Sequence, residues 1–290
     1  MDKLETILLV TADFLKENNL DNAEKTLVEG LKSHKDHPVL YTNWGMIKLL
    51  KKDFEGSIEL LEKAISFDPR ILEAHQNLGS AYLYKGDLEK AESCFLKALQ
   101  IDPNNFNTYH NISTLYIQTN QIPKAKKSLE KLIQIEGNNP QVSFMLGMVC
   151  LTLKEYYPAI ANLLYVILHN PDDINAISGL AEAYYRMGRY QMAVMQYKRL
   201  IELTPTRISP YVKSALILLE LGLHPQAIPY LEQALKIDPT NLEALEILAI
   251  LFEEQADFSK AEEIYQEILI LDPQHESADA ALKRLETVKN

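Results

Sequence analysis

The chain has 290 residues, with 29 Lys and Arg against 40 Asp and Glu, a formal net charge of −11 and 47% apolar residues. That apolar share is enough for a large core and excludes global disorder, while the acidic balance repels phosphate backbones and argues against a nucleic-acid binder. Two cysteines, Cys94 and Cys150, cannot build a disulfide framework and fit a reducing, cytoplasmic compartment; the charged N-terminal stretch lacks a secretory apolar region, and no run reaches the roughly 18 apolar residues of a membrane helix.

From Leu4 onward the chain repeats every 34 residues. Pro69 and Pro103 are one period apart, Pro171, Pro205, Pro239 and Pro273 continue it, and Gly137 stands midway across the longer gap. Two rows of small residues keep the same phase. Position 20 holds Ala23, Ser57, Ala91, Ala125, Ala159, Ala193, Ala227 and Ala261; position 8 holds Gly45, Gly79, Ser113, Gly147, Ala181, Ala215 and Ala249. In chain order the units are 4–37, 38–71, 72–105, 106–139, 140–173, 174–207, 208–241 and 242–275, followed by 276–290.

Each unit is predicted to hold two helices. The first unit is the least regular, keeping Ala23, Leu27 and an apolar first helix. Positions 4, 7, 8 and 11, spaced i, i+3, i+4, i+7, share one helical face, as in His75, Leu78, Gly79 and Tyr82 of the third unit. Gly86, Gly188 and Gly222 at position 15 supply a left-handed cap after the first helix. Pro123, Pro158 and Pro225 open second helices, where a missing N–H does no harm. Asp-Pro pairs at Asp68, Asp102, Asp238 and Asp272 separate units. Residues 276–290 read as an amphipathic cap with Ala280, Ala281, Leu282, Leu285 and Val288 apolar, covering a core face that the last repeat would otherwise expose.

The third unit carries Leu78-Gly79, Tyr82, Ala91, Phe95, Ala98 and Pro103, and the sixth carries Leu180-Ala181, Tyr184, Ala193, Tyr197 and Pro205. This pattern resembles the tetratricopeptide-repeat family, whose signature runs W-x2-L-G-x2-Y, A-x3-F, P. The resemblance covers nearly the whole chain. It implies an all-α, right-handed superhelical α-solenoid of antiparallel helix-turn-helix repeats, with 1–290 as a single solenoid.

Motifs for catalysis are missing from the sequence: no phosphate loop, nucleophile elbow, C-x-x-C or H-E-x-x-H. His34 and His37 flank Asp36 in an H-x-x-H pair, but no third ligand is near in sequence, and a solvated inter-repeat turn is the expected reading. Cys150 and His75 are expected in the core, Cys94 as a structural or half-exposed thiol, and His110 on the ligand side. No catalytic residue, metal or cofactor is expected.

The resemblance further implies that positions 2, 5, 6, 9, 12 and 13 line a concave, partner-binding surface. Position 6 carries Asn43, Asn77 and Asn111, similar to the asparagine ladder of some peptide-binding superhelices. A carboxamide both donates and accepts, so it can hold an extended backbone whatever its side chains. Gln76, Asn107 and His110, with Ser80, Thr114 and Gln118, extend that polar strip. Phe144, Met145 and Met148 in the fifth unit, and Val212 and Leu216 in the seventh, turn the same positions apolar. Two readings fit them: pockets for an apolar anchor, or packing against the adjacent second helix. The eighth unit carries nine acids and one base; Glu243, Glu246, Glu253 and Glu254 form its groove stripe. This stripe suits either a basic segment of a partner or solvation of a terminal repeat. A carboxylate-gripping groove is not expected, since Lys213 is the lone base at positions 2, 5 and 6.

The expected function is a non-enzymatic scaffold or adaptor that binds an extended peptide or partner helix. The alternatives are a self-associating assembly protein and an accessory subunit docking on a catalytic or secretion complex. Neither nucleic acid nor membrane insertion is expected.

Overall fold

The computed structural model describes residues 2–289, and their side chains as far as Glu286; the Val288 side chain, predicted on the apolar face of the last helix, lies outside the described residues. Two units divide the chain, Met1–Val142 and Ser143–Asn290. The first holds α1 (Lys3–Lys16), α2 (Leu20–Ser33), α3 (Pro38–Leu50), α4 (Phe54–Phe67), α5 (Leu72–Lys85), α6 (Leu88–Ile101), α7 (Phe106–Gln118), α8 (Ile122–Glu136) and the start of α9 (Pro140–Thr152). The second holds the rest of α9, then α10 (Tyr156–His169), α11 (Ile174–Arg186), α12 (Tyr190–Leu203), α13 (Ile208–Glu220), α14 (His224–Ile237), α15 (Leu242–Glu254), α16 (Phe258–Leu271) and α17 (Glu276–Lys289). Among the described residues there is no strand.

Within each unit, consecutive helices pack as hairpins, and each hairpin packs on the next. The turn between paired helices explains why the pairs recur. All eight turns place a residue with positive φ at position 15: Asn18, Lys52, Gly86, Asn120, Lys154, Gly188, Gly222 and Ala256. Glycine meets no steric penalty there and asparagine little, but Lys52, Lys154 and Ala256 hold a conformation that costs an L-residue about 1–2 kcal/mol. The packing of the flanking helices holds them in it. Side-chain caps start many of the following helices, as when Asp53 Oδ1 accepts from the Gly56 N–H at 3.0 Å. The Asp-Pro residues end the second helices, and Asp68, Asp102, Asp238 and Asp272 each accept from the N–H two residues on, at 2.9–3.1 Å.

Paired helices approach closely because a small residue faces a large one. A Cβ placed on Gly79 would stand 2.6 Å from Cε1 of Phe95, and one on Gly45 would stand 2.6 Å from Cγ of Leu61. Phe95 and Leu61 are fully buried, as are the small residues at position 20 from Ala23 to Ala261. Ser57 donates to the Gly45 carbonyl at 2.8 Å across the gap left by the missing side chain. His75, Leu78, Gly79 and Tyr82 are all buried, so the helical face read from their spacing is the core face.

In the first unit a charged cluster ties α2 to α3. Glu24 accepts from the Trp44 indole at 2.9 Å and from Lys51 at 2.6 Å, and Lys48 lies 3.0 Å away. Burial works to raise this carboxyl, but the bonds from Lys51, Trp44 and Lys48 outweigh it and hold the pKa down at about 2. In the second unit α17 covers α16, with Ala278, Ala281 and Leu285 buried against Leu245, Ala261 and Tyr265. The register differs from expectation at one place: Ala280 faces solvent and Ala278 is the core residue.

Two outcomes follow for stability. Ala256→Gly relieves the left-handed strain and should raise stability by about 0.5–1 kcal/mol, read as a higher Tm; an unchanged or lower Tm contradicts the strain. Glu24→Gln should cost about 1–3 kcal/mol at pH 7, measured by urea unfolding. The carboxyl's folded pKa lies below its ordinary value of 4.5, so its contribution is complete above that pH and disappears as pH falls toward 2. The two proteins should therefore converge in stability between pH 4.5 and 2, and a gap that persists at pH 2 contradicts the assignment.

Candidate protein-interaction surface

Each first helix buries one face in its hairpin and turns the opposite face away from it. In the first unit this face carries a polar stretch on α5 and α7 that is linked between neighbouring repeats. The Gln76 carboxamide on α5 donates to Asn105 Oδ1 and Thr108 Oγ1, both at 2.6 Å, at the start of α7. Asn111 on α7 donates to Ser80 Oγ on α5 at 3.5 Å, and Gln141 lies 3.3 Å from the His110 ring. Gln76, His110 and Asn111, predicted separately, thus sit in neighbouring rows of one surface. Asn105, half-buried, joins it and was not anticipated, because it stands at the mouth of the repeat and reads as a capping residue; it also caps the Thr108 N–H at 3.0 Å, and Thr108 is fully buried beneath the surface.

Asn43, Asn77 and Asn111 are half-buried on successive first helices α3, α5 and α7, and Asn107 is exposed. Among the described residues the side chains of Asn43, Asn77 and Asn107 have no partner within the chain. Their donors and acceptors are left for water or a ligand. The two histidines separate as expected: His75 is buried with Nε2 2.9 Å from the Pro69 carbonyl, and His110 lies on the polar face.

The apolar candidates lie in the second unit. Phe144 and Met145 are half-buried, and Phe144 packs against Leu163, Val166, Ala176 and Leu180. Met148 is 36% exposed, with its sulfur lying over Gly179, where a side chain would crowd it. Leu216 is half-buried against the core of α13 to α15. Val212 departs from the pocket reading and follows the packing one. It is 3% exposed and packed with Ala215, Leu218 and Leu248, so it offers no surface to a ligand.

The acidic stripe also differs from expectation, because neighbours within the second unit engage most of it. Glu253 takes a two-pronged ion pair from Arg284 of α17 at 2.8 Å and a bond from the Tyr265 hydroxyl at 3.2 Å. His224 Nδ1 lies 2.7 Å from Glu254, and Ser277 donates to Glu246 at 2.5 Å. Glu243 alone of the four stands exposed without such a contact. Three of these carboxylates therefore fasten helices together.

Both cysteines are buried and neither forms a disulfide, and burial pushes the Cys94 thiol up to about 11. Among the described residues no group of three or more His, Cys, Asp or Glu side chains is placed to hold a metal ion, and no helix is long and apolar enough to cross a membrane.

Family models of the tetratricopeptide repeat match residues 39–71, 72–105, 94–127, 175–207 and 218–285. The chain belongs to the tetratricopeptide-repeat family, an all-helical fold that serves as a protein-interaction scaffold. It is 34% identical over 99 residues to Superkiller protein 3 of Schizosaccharomyces pombe, a match that takes in 33% of the chain but spans 7% of that relative's length. Among solved structures it is similar to YrrB, described as a TPR protein with an unusual peptide-binding site (22% identity, TM-score 0.59, 65% of this chain and 97% of that one). It is also similar to the C-terminal part of a TPR repeat-containing protein from Cytophaga hutchinsonii (20% identity, TM-score 0.60, 94% and 98%). At those identities the two structures speak for the fold alone.

Proposed function

We propose that this chain is a non-catalytic adaptor of the cytoplasm that binds an extended segment of a partner protein along the first-helix face of its first unit. The division into eight repeats, 4–37 to 242–275, with 276–290 as a cap, is the frame of this reading. The observation that carries it is the row Asn43, Asn77 and Asn111: carboxamides repeated every 34 residues, two of them without internal partners, beside side chains that are cross-bonded. Cross-bonded neighbours hold the surface rigid, so little conformational entropy is lost when a ligand docks. Carboxamides that pair with a peptide backbone confer affinity without demanding one sequence. Within the second unit, Phe144 and Met148 offer a separate apolar contact for an anchor residue. A peptide-binding site is named for YrrB, which adds weight to the reading.

Tagged protein used to capture partners from a lysate tests this. Asn77→Ala with Asn111→Ala removes two bonding groups worth roughly 1 kcal/mol each net, so recovery should drop on the order of tenfold or more while far-ultraviolet circular dichroism is unchanged. Phe144→Ala tests the apolar anchor separately. Undiminished recovery with both proteins rules the reading out.

One observation favours self-association as a second reading. Helix α10 has no Asp, Glu, Lys or Arg, and its outer face exposes Tyr157, Leu164 and Leu168, the first and last by more than 70%. Such a stripe suits pairing with its own copy about a twofold axis. Leu164→Glu with Leu168→Glu should turn a concentration-dependent dimer into a monomer in sedimentation. A wild-type protein that stays monomeric at high concentration excludes this reading.

A further inference from the structure

The first unit holds two equivalent crevices on the side formed by its second helices, one repeat apart, and they differ in charge. The earlier one, about 350 Å³, lies between α4 and α6 with α5 as its floor; the later one, about 450 Å³, lies between α6 and α8 with α7 as its floor. Residues correspond at a spacing of 34. Ile65, Leu78, Tyr82, Lys90 and Lys97 of the earlier crevice become Leu99, Ile112, Tyr116, Lys124 and Lys131 of the later one. Three changes matter: Glu62 becomes Leu96, His75 becomes Tyr109, and Ser93 becomes Lys127.

These changes make the later crevice more basic, with three lysines and one acid in its lining against two lysines and one acid in the earlier one. In the earlier crevice the wall itself supplies an acid, Glu62, which takes a 2.8 Å bond from the Tyr82 hydroxyl and faces Lys90 and Lys97. In the later one that position is the exposed apolar side chain of Leu96, and a further base has entered at Lys127. Tyr116 finds its acceptor instead in Glu92, at 2.8 Å, and Glu92 also pairs with Lys124 at 3.0 Å. The acid on the crevice wall, Glu130, pairs with Lys126 at 3.8 Å. Lys127 and Lys131 are left without an acid partner among the described residues, at the rim of a floor made of Leu99, Ile112 and the Tyr109 and Tyr116 rings. On a chain of net charge −11, this is a basic mouth over an apolar pocket.

We propose that the crevice between α6 and α8 is a second docking site, which takes an acidic segment of a partner protein: one apolar side chain in the pocket, with carboxylates on either side of it against Lys127 and Lys131. Charge complementarity selects the partner. A segment with bases at those places meets two lysines with no counter-charge, whereas carboxylates pair with them. A volume of about 450 Å³ falls within the range of pockets that take a ligand group. This site is separate from the carboxamide row, which lies on first helices, and so the chain can hold two partners at once.

The test uses the full chain and three fluorescein-labelled twelve-residue peptides, followed by fluorescence anisotropy. One carries a central Leu-Trp pair between glutamates, one the same pair between lysines, and one serines in place of the pair between glutamates. The first should bind at least tenfold more tightly than either other, and its binding should weaken as salt is raised from about 50 to about 300 mM. Lys127→Glu with Lys131→Glu should abolish the preference. Leu96→Glu, which restores the arrangement of the earlier crevice at an exposed position, should weaken the glutamate peptide at least tenfold. Asn77→Ala with Asn111→Ala should leave it unchanged, which separates this site from the carboxamide row. Equal binding of the glutamate and lysine peptides, or glutamate-peptide binding indifferent to the Lys127, Lys131 and Leu96 variants, overturns the proposal. Sedimentation of the peptide-free protein provides a further check: a dimer that becomes monomeric on Lys127→Glu with Lys131→Glu would mean that a second copy fills the crevice, and the assignment to a foreign acidic segment would fall.

Discussion

The structure depends on the contact between a small residue on each first helix and a large one on its second helix. Gly79 lies against Phe95 with no room for a methyl group, and Gly45 against Leu61 is as close. Close approach lets the large side chain bury completely, and the dispersion attractions around it are individually small and collectively decisive. It also sets how far apart successive first helices stand. The bonds from Gln76 to Asn105 and Thr108, and from Asn111 to Ser80, form only at that separation. The packing inside each hairpin therefore determines the geometry of the surface outside it.

That surface divides labour between neutral and charged chemistry. On the first-helix face of the first unit the side chains of Asn43, Gln76, Asn77, Ser80 and Asn111 are carboxamides and a hydroxyl, suited to a backbone of any sequence. On the second-helix side of the same unit, the crevices carry lysines and carboxylates. The second unit uses its acids differently. Glu253 and Glu246 are bound by Arg284 and Ser277 of α17, so charge that looks available for a ligand is committed to closing the end of the array. These pairs are partly exposed and individually weak, and their value lies in orienting α17 over Ala261 and Tyr265.

The fold was legible in the sequence because its determinants are local and periodic. Prolines, Asp-Pro pairs and small residues mark positions that the backbone of every repeat needs, and a 34-residue ruler finds them. What escaped are features in which a different residue does the same job, or the same residue a different one. Only three of the eight left-handed turns are glycine, so Lys52, Lys154 and Ala256 gave no sign of the conformation they adopt. Val212 stands at a surface position of the ruler, but in the seventh repeat the neighbouring helices close over it. The candidate polar row was visible as Asn43, Asn77 and Asn111, whereas Asn105 and Thr108 depend on where one repeat ends against the next. The basic crevice is a property of three helices at once. Lys127 and Leu96 mean little alone, and only their meeting over Ile112 shows bases without a counter-charge beside an apolar floor.

Hydrogen exchange measured by mass spectrometry on Gly79→Val tests the central constraint most directly. The bulk added by valine forces α5 and α6 apart at Phe95. In a fold whose repeats contact mainly their neighbours, the damage should be greatest there and fade with distance along the first unit. The expected result is a loss of amide protection concentrated in α5 and α6, reaching α4 and α7 and diminishing toward α1 and α2. Unchanged protection across α5 and α6 would contradict the account.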